Sequence, residues 1–349
     1  MGPVGGAVDA RFMGAALALA ERGRGRTAPN PSVGCVIVLD GRVVGRGWTQ
    51  PGGRPHAEAM ARAEAGPAAA GATAYVTLEP CAHVSARGPA CADLLVEAGV
   101  TRVVAALRDP DPRTDGGGFA RLRAAGIAVV EDVAGEVARQ SMAGFLMRRT
   151  QGRPFVTLKL AMSLDGAIAL ASGESRWITG PEARAHAHLE RSRHEVILVG
   201  RGTWEADAPA LDVRLAGLEK RSPVRVVLSS LHPHPSALRA SSLSRREREG
   251  ATQSRKGEGE PIWITSPHAI ADLPGDQLLI EGGAQTAAAF LAADLVDRLL
   301  LYRAPIVVGG GKAAVADIGL TDLGAAHGRW RLADARQLGV DRLEVYERA

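Results

Sequence analysis

The chain has 349 residues, 46% of them hydrophobic and only 4% aromatic, enough aliphatic and alanine side chains to fill about two domains. Its 42 Lys and Arg against 38 Asp and Glu leave a net charge of +4, a mixed-sign surface that excludes a basic nucleic-acid stripe and suits a small anionic ligand. Three cysteines cannot build a disulfide framework, no secretory leader pattern opens the chain and no apolar run approaches the ~18 residues of a spanning helix, so a cytoplasmic protein without membrane contact is expected.

In chain order, residues 8–22 have helical spacing. Two β-rich runs flank Asp40-Gly41 between Cys35 and Trp48, a hairpin signal. HAEAMARAEAG predicts a helix stopped by Gly66 and Pro67, and ATAYVTLEP a strand ending at Pro80. CADLLVEAG (helix), TRVVAALRD (strand), FARLRAAG (helix) and IAVVED (strand) follow. This alternation predicts a layered α/β domain over 1–150. QGRPFVTLKLAMSLDG restarts with a new strand, so the boundary is placed near Gly152 and a second α/β domain over 151–349. HEVILVG, SPVRVVLSS, PIWITS, DQLLIEGG and RLLLYRAPIVVG read as its strands and AQTAAAFLAADLVD as a helix. Residues 231–260, rich in Ser, Arg, Glu and Gly, are expected to form a mobile surface excursion.

His56, Cys81 and Cys91 supply the ligand types zinc prefers, and three protein ligands leave one tetrahedral position open, as in catalytic sites. Zinc lowers the pKa of a bound water from about 15.7 to about 7. Glu58, two residues after His56, is placed to be a non-ligating general acid/base. The pattern matches the H-x-E…P-C-x-x-C signature of zinc nucleobase deaminases, except that the second cysteine comes ten residues after the first. Cys81 is expected at a strand end and Cys91 at a helix start, with the loop Ala82–Ala90 free to reach substrate. His83 is either a fourth ligand of a closed structural site or a substrate-facing imidazole. Cys35 reads as a buried thiol.

In the second half, Lys159 lies inside a strand and Ser163-Leu164-Asp165-Gly166 forms a turn. SGESRWITGPEAR reads as a loop entering a helix, with Thr179 as N-cap and Pro181 in the first turn. LLIEGGAQTAAAFL is strand, Gly-Gly, helix; its glycines are either an ordinary turn or a phosphate cradle. No G-x-G-x-x-G follows a strand, which argues against a standard Rossmann site.

TAPNPSVGCVIV, PHAEA and ATAYVTLEPCAH…PACADLL resemble the deaminase half of the bifunctional riboflavin-biosynthesis deaminase/reductase family, which has a cytidine-deaminase-like fold. KLAMSLDG, ASGESRWITGPEAR, ADAPALDVR and IEGGAQTAAAFL resemble its reductase half, similar in fold to dihydrofolate reductase and dependent on NADPH. The resemblance spans about residues 8–349 and is weakest over 215–260.

It implies zinc held by His56, Cys81 and Cys91, Glu58 as proton shuttle, and Asn30 facing the pyrimidine, with His83 taken as a further substrate-side candidate. It also implies nicotinamide-cofactor contacts from Ala161, Trp177, Thr203, Asp207, Ser230 and Gly283. Substrate contacts would come from Lys159, Ser175, Arg191, Leu211, Arg214 and Glu281, with the two arginines partnering a 5′-phosphate. The implied reactions are deamination of 2,5-diamino-6-ribosylamino-4(3H)-pyrimidinone 5′-phosphate, then NADPH reduction of the ribosyl group to ribityl, in a homo-oligomer.

The chain departs from the family pattern in several places. The loop CAHVSARGPAC is one residue longer, Val84 replaces an aromatic or imidazole group, and Arg87 stands in for a displaced basic residue. Thr49 replaces a usual histidine, and Ala208 replaces one carboxylate of Asp-Asp-Pro. Two rival readings follow: an inert deaminase beside a working reductase, and a zinc-stapled nucleic-acid module supported only by the basic stretch 245–256.

Overall fold

The computed structural model describes residues 3–83, 87–230 and 259–349. The excursion expected over 231–260 lies outside the described residues but for its last two, as do Val84 and the basic stretch 245–256. The chain divides into two compact units, Met1–Gly152 and Arg153–Ala349.

The first unit is built on a five-stranded sheet ordered β2-β1-β3-β4-β5. Strands β1 (Gly34–Leu39) and β2 (Arg42–Trp48) pair antiparallel. Asp40 and Gly41 between them both have positive φ, 48° and 74°, as a two-residue type I′ hairpin turn requires. β3 (Thr73–Val76) pairs antiparallel with β1, and β4 (Arg102–Ala105) and β5 (Ala128–Val130) continue in parallel. The GCVIV run of β1 is buried throughout, because helices cover both faces of the sheet.

Those helices lie directly on the strands. Helix α1 (Pro3–Ala20) rests on Gly34, where a Cβ would fall 1.8 Å from the Ala16 carbonyl oxygen. Helix α2 (Ala57–Ala65) lies on the opposite face, with Ala57, Ala61 and Ala65 turned inward at four-residue spacing. There a Cβ on Gly45 or Gly47 would fall 2.1 Å from the Ala61 oxygen or 2.0 Å from the Ala57 oxygen. The Asp9 carboxylate fastens α1 to the strands: it accepts Arg102 Nη1 (2.8 Å), Arg102 Nη2 (2.6 Å) and Tyr75 Oη (2.9 Å). Helices α3 (Cys91–Glu97) and α4 (Gly117–Ala124) follow β3 and β4. Two further helices, α5 (Gly135–Ser141) and α6 (Ala143–Gln151), are not predicted above; α5 is a short polar stretch, whereas α6 is amphipathic, burying Gly144 and Phe145 and carrying Arg148 and Arg149 in its last turn.

The second unit holds an eight-stranded sheet ordered β10-β9-β8-β11-β6-β12-β15-β14. β6 (Phe155–Met162), β8 (Val196–Gly200), β9 (Val224–Leu228), β10 (Ile262–Ile264), β11 (Gln277–Ile280) and β12 (Arg298–Arg303) run parallel. β7 (Ala167–Ala169) and β13 (Lys312–Ala313) form a separate ribbon. β12 stops at Arg303, short of the predicted RLLLYRAPIVVG, where the chain turns back and Ala304 N–H donates to the Met162 oxygen.

The antiparallel hairpin β14 (Trp330–Leu338) and β15 (Asp341–Arg348) closes one edge and is absent from the sequence reading. Its outer strand is almost wholly exposed and carries Arg331, Asp334 and Arg336, charges that protect a sheet edge but erase apolar alternation. The helix Ala284–Ala292 ends before the predicted Asp297. Asp297 is needed elsewhere, binding Arg153 at 2.6 and 2.8 Å and accepting the Val156 N–H at 2.8 Å. Gly180, not Thr179, is the N-cap of helix α7 (Pro181–Arg191), and its N–H donates to Asp341 Oδ2 at 2.6 Å. Among the described residues no helix is long and apolar enough to cross a membrane.

Candidate active site

In the first unit the packing of α2 on β2 sets the depth of His56, its N-cap, and Glu58, in its first turn. Cys91 is the first residue of α3, as predicted. Cys81 lies in the loop five residues beyond the end of β3, not at a strand end.

The candidate ligand atoms of His56, Cys81 and Cys91 all lie within 4.8 Å of one another. His56 Nδ1 is 3.2 Å from Cys91 Sγ and 3.7 Å from Cys81 Sγ, so Nδ1 is the nitrogen turned to the sulfurs. Nε2 faces the Asn30 amide at 2.9 Å, an outer contact that orients the ring. Two thiols and an imidazole facing one point are the donor set of a zinc site.

The two sulfurs divide their proton unequally. The Cys91 thiol and backbone N–H both donate to Cys81 Sγ, which holds Cys81 down at about 4. That donation, with burial, pushes Cys91 up. Burial pushes Glu58 up to about 7, against the pull of His56 and with the Cys81 charge adding to the rise. Glu58 is 3% exposed and lines a cavity together with His56 and Cys81.

That cavity has a volume of about 190 Å³ and includes Asn30, Thr49 and His83 in its wall. Thr49 cannot stand in for an imidazole: it is buried and its Oγ1 accepts the Val33 N–H at 3.0 Å. His83 Nδ1 is 3.5 Å from Thr114 Oγ1. Gly53, at φ 86°, leaves room for Asn30, whose amide carbon would lie 2.7 Å from a Cβ there.

The sequence reading missed Arg54, Asp109, Asp111, Arg113 and Arg149, all of which line the cavity. DPDPR stands just past the carboxyl end of the parallel strand β4, the usual place for ligand contacts in such sheets, and that was the available signal. Asp111 accepts Arg113 Nε (2.9 Å) and Nη2 (2.6 Å) and is held well below the usual carboxylate range by that pair. Burial pushes Asp109 up to about 6. Glu79 holds this segment in place. Its Oε1 accepts Gly118 N–H (2.9 Å) and Phe119 N–H (3.2 Å), and its Oε2 accepts Gly116 N–H (3.0 Å) and Asp109 N–H (3.3 Å).

In the second unit, Thr203 and Asp207 follow β8, Ser230 follows β9, Gly283 follows β11, and Ala161 is near the end of β6. All five fall at the carboxyl ends of four neighbouring parallel strands. Gly200 and Gly282 are packed against Thr286, whose side chain would clash with a Cβ on either. Thr203 Oγ1 is 3.8 Å from where a Gly283 Cβ would be.

Glu281 is the centre of a buried charge cluster. It accepts Arg191 Nε (2.7 Å) and Nη2 (3.0 Å), and Lys159 Nζ lies 3.8 Å away. Arg191 Nη1 donates to the Asp212 oxygen at 2.9 Å. Three of the five guanidinium N–H groups are thus committed within the protein, leaving two for a substrate. Burial raises the Glu281 carboxyl, but Arg191 and Lys159 outweigh it and hold the group at about 2. Arg214 is mostly exposed and pairs with Asp212 at 3.2 Å. Leu211 has φ 55° and buries its side chain beside Ile197, Val227 and Leu279, so only its backbone is free to meet a ligand. Ser175 and Trp177 are exposed in the segment before α7, with Arg184 stacked 4.7 Å over the Trp177 ring.

A family model described as "Cytidine and deoxycytidylate deaminase zinc-binding region" matches residues 7–107, and one described as "RibD C-terminal domain" matches 154–343. The Riboflavin biosynthesis protein RibD of Haemophilus influenzae is 39% identical over 95% of each chain, and that of Escherichia coli 39% identical over 95% of this chain and 97% of its own. This chain belongs to the RibD family of riboflavin biosynthesis proteins. The structure of Acinetobacter baumannii RibD matches with a TM-score of 0.82 at 36% identity over 99% of both chains. A Thermotoga maritima structure, titled a diaminohydroxyphosphoribosylaminopyrimidine deaminase/5-amino-6-(5-phosphoribosylamino)uracil reductase, matches at 0.81 and 31% over 99% of both chains. The chain is accordingly a bifunctional enzyme of riboflavin biosynthesis, joining a zinc-binding deaminase domain of cytidine-deaminase type to a reductase domain.

Proposed function

We propose that the deaminase domain, residues 1–150, acts on 2,5-diamino-6-ribosylamino-4(3H)-pyrimidinone 5′-phosphate. The reductase domain, 151–349, would reduce the ribosylamino product with NADPH to 5-amino-6-ribitylamino-uracil 5′-phosphate. The observation that carries the first half is the His56, Cys81 and Cys91 cluster, two members of which line a cavity together with buried Glu58.

His56, Cys81 and Cys91 would hold zinc, which would supply Lewis-acid activation of water. Glu58, kept near neutral pH by its burial, takes the water proton and delivers it to the departing amine, so that C–N breaks, a ring carbonyl forms and ammonia leaves. Asn30 and His83 orient the pyrimidine from the wall. The long Cys81–Cys91 loop and Thr49 are compatible with this chemistry, because neither displaces a ligand or Glu58.

In the second domain a bound nicotinamide cofactor would supply the hydride for reduction at C1′ of the ribosyl group. Ala161, Trp177, Thr203, Asp207, Ser230 and Gly283 hold the cofactor, and Ser175, Leu211 and Arg214 meet the substrate. Glu281 fixes Lys159 and Arg191 so that both cations face the sugar and its phosphate.

The test is ammonia release from the diamino-ribosylamino-pyrimidinone phosphate by zinc-loaded protein without NADPH, in wild type and Glu58→Gln. Release lost in the variant supports the deaminase reading. No release, with NADPH still oxidised by the deaminated compound, leaves only the reductase half standing.

A further inference from the structure

Four arginines line the deaminase cavity, and three of them have partners inside the protein. Arg113 grips Asp111, Arg149 lies 3.5 Å from the same carboxylate, and Arg87 donates to the Gly52 oxygen (3.1 Å) and Asn30 Oδ1 (3.3 Å). Arg54 differs. Its Nε is buried, and it has no hydrogen-bond partner among the described residues. A guanidinium N–H withdrawn from water and left unpaired is costly, and the usual resolution is a ligand acceptor.

The carboxylates around the same cavity do not compensate it. Glu79 is saturated by four backbone N–H groups and Asp111 by Arg113 and Arg149, Asp109 accepts the Asp111 N–H at 2.9 Å, and Glu58 is buried beside the cysteine cluster; none of the four pairs with Arg54 among the described residues. Among the described residues, Arg54 is therefore the one arginine of the wall with no hydrogen-bond or ion-pair partner, and its Nε is withdrawn from water.

The placement of Arg54 fits an anion at the mouth. It sits in the loop after β2 and extends across to the Cys81–Cys91 loop, where its Nη1 would lie 3.1 Å from a Cβ on Gly88. Gly88 has no side chain and so leaves that approach open. The reacting amine must reach the buried end of the cavity at Glu58 and Cys81, so the opposite end of the substrate lies toward the mouth, beside exposed Arg87.

We propose that Arg54 is a specificity-determining substrate contact of the deaminase site, binding the phosphate monoester of the substrate by charge-assisted, bidentate hydrogen bonds. The assignment rests on the deaminase reading above. A planar two-donor fork suits a phosphate better than a single ring oxygen, and the two terminal Nη groups of Arg54, beyond its buried Nε, are such a fork.

The test crosses Arg54 with the substrate phosphate. Ammonia release is measured for wild type, Arg54→Ala and Arg54→Lys on the diamino-ribosylamino-pyrimidinone phosphate and on its dephosphorylated riboside, with zinc content checked in each. Arg54→Ala is expected to raise KM for the phosphate about 10- to 100-fold with kcat little changed, and to leave the riboside unaffected. Arg54→Lys should recover part of the loss. Equal loss on both substrates, or no loss on either, overturns the proposal. If wild type releases no ammonia, the deaminase reading fails by itself. Calorimetric binding of ribose 5-phosphate then decides the Arg54 proposal: an Arg54-dependent isotherm supports it, and identical isotherms in wild type and Arg54→Ala overturn it.

Discussion

Glu79→Gln is the perturbation with the most direct reading. Helix α4 begins after Gly116, which has no side chain to cap it, and Glu79 caps it from another loop. Each carboxylate oxygen accepts two backbone N–H groups. Glutamine keeps the shape but replaces one oxygen with an amino group. Whichever way the amide turns, two N–H groups face a donor. At about 1–3 kcal/mol for each stranded buried donor, the loss is about 2–6 kcal/mol. At about 2–4 °C per kcal/mol for a unit of this size, the calorimetric transition of the deaminase domain should fall by at least about 4 °C. Amide exchange at Gly116, Gly118 and Phe119 should accelerate. The deaminase KM should rise as well, because Asp109, Asp111 and Arg113 ride on the released segment. An unchanged transition together with unchanged exchange at these amides would show that Glu79 does not hold the loop.

His56→Ala, Cys81→Ser and Cys91→Ser are each expected to lose bound zinc, measured by metal analysis, and ammonia release, while NADPH oxidation by the deaminated substrate persists. Glu281 has a carboxyl held at about 2 against an ordinary 4.5, a depressed value, so the stability it contributes is present above about pH 4.5 and is lost as pH falls toward 2. Thermal midpoints of wild type and Glu281→Gln should differ most above pH 5 and converge near pH 2. The gap at neutral pH should correspond to about 3–5 kcal/mol, because Arg191 is left buried without its partner. Asp109 has the opposite sign. Its carboxyl is raised from 3.8 to about 6, so the cost of ionising it in the fold builds up between those values and is fully present above about pH 6. Asp109→Asn should raise the midpoint of the deaminase domain at pH 8 and leave it unchanged below about pH 4.

The zinc cluster was legible because its residue types are rare and its spacing is diagnostic: two of three cysteines in one loop, with H-x-E upstream. The strands and helices that alternate in the first 130 residues were legible for the same reason, since β1 and β3 are continuous apolar runs and Asp40-Gly41 has one common use. The arginines and aspartates of the cavity wall were not. Arg54 and Arg149 are ordinary surface residue types, and only the fold brings them to one mouth. Nor could the sequence show that Arg191 is already committed to Glu281, ninety residues away. The β14–β15 hairpin was missed because an exposed edge strand has no buried face to impose a period of two.

The bare glycines under α2 have a consequence for how the metal arrives. With Ala57 and Ala61 seated against Gly47 and Gly45, the helix start that carries His56 and Glu58 is placed by backbone contact with the sheet. Binding zinc then requires little ordering of the chain, unlike a zinc finger, whose fold exists only with its ion. The ion is then expected to be a replaceable guest: stripping it with a chelator should leave the far-ultraviolet dichroism of the domain unchanged, and adding zinc back should restore metal content without refolding.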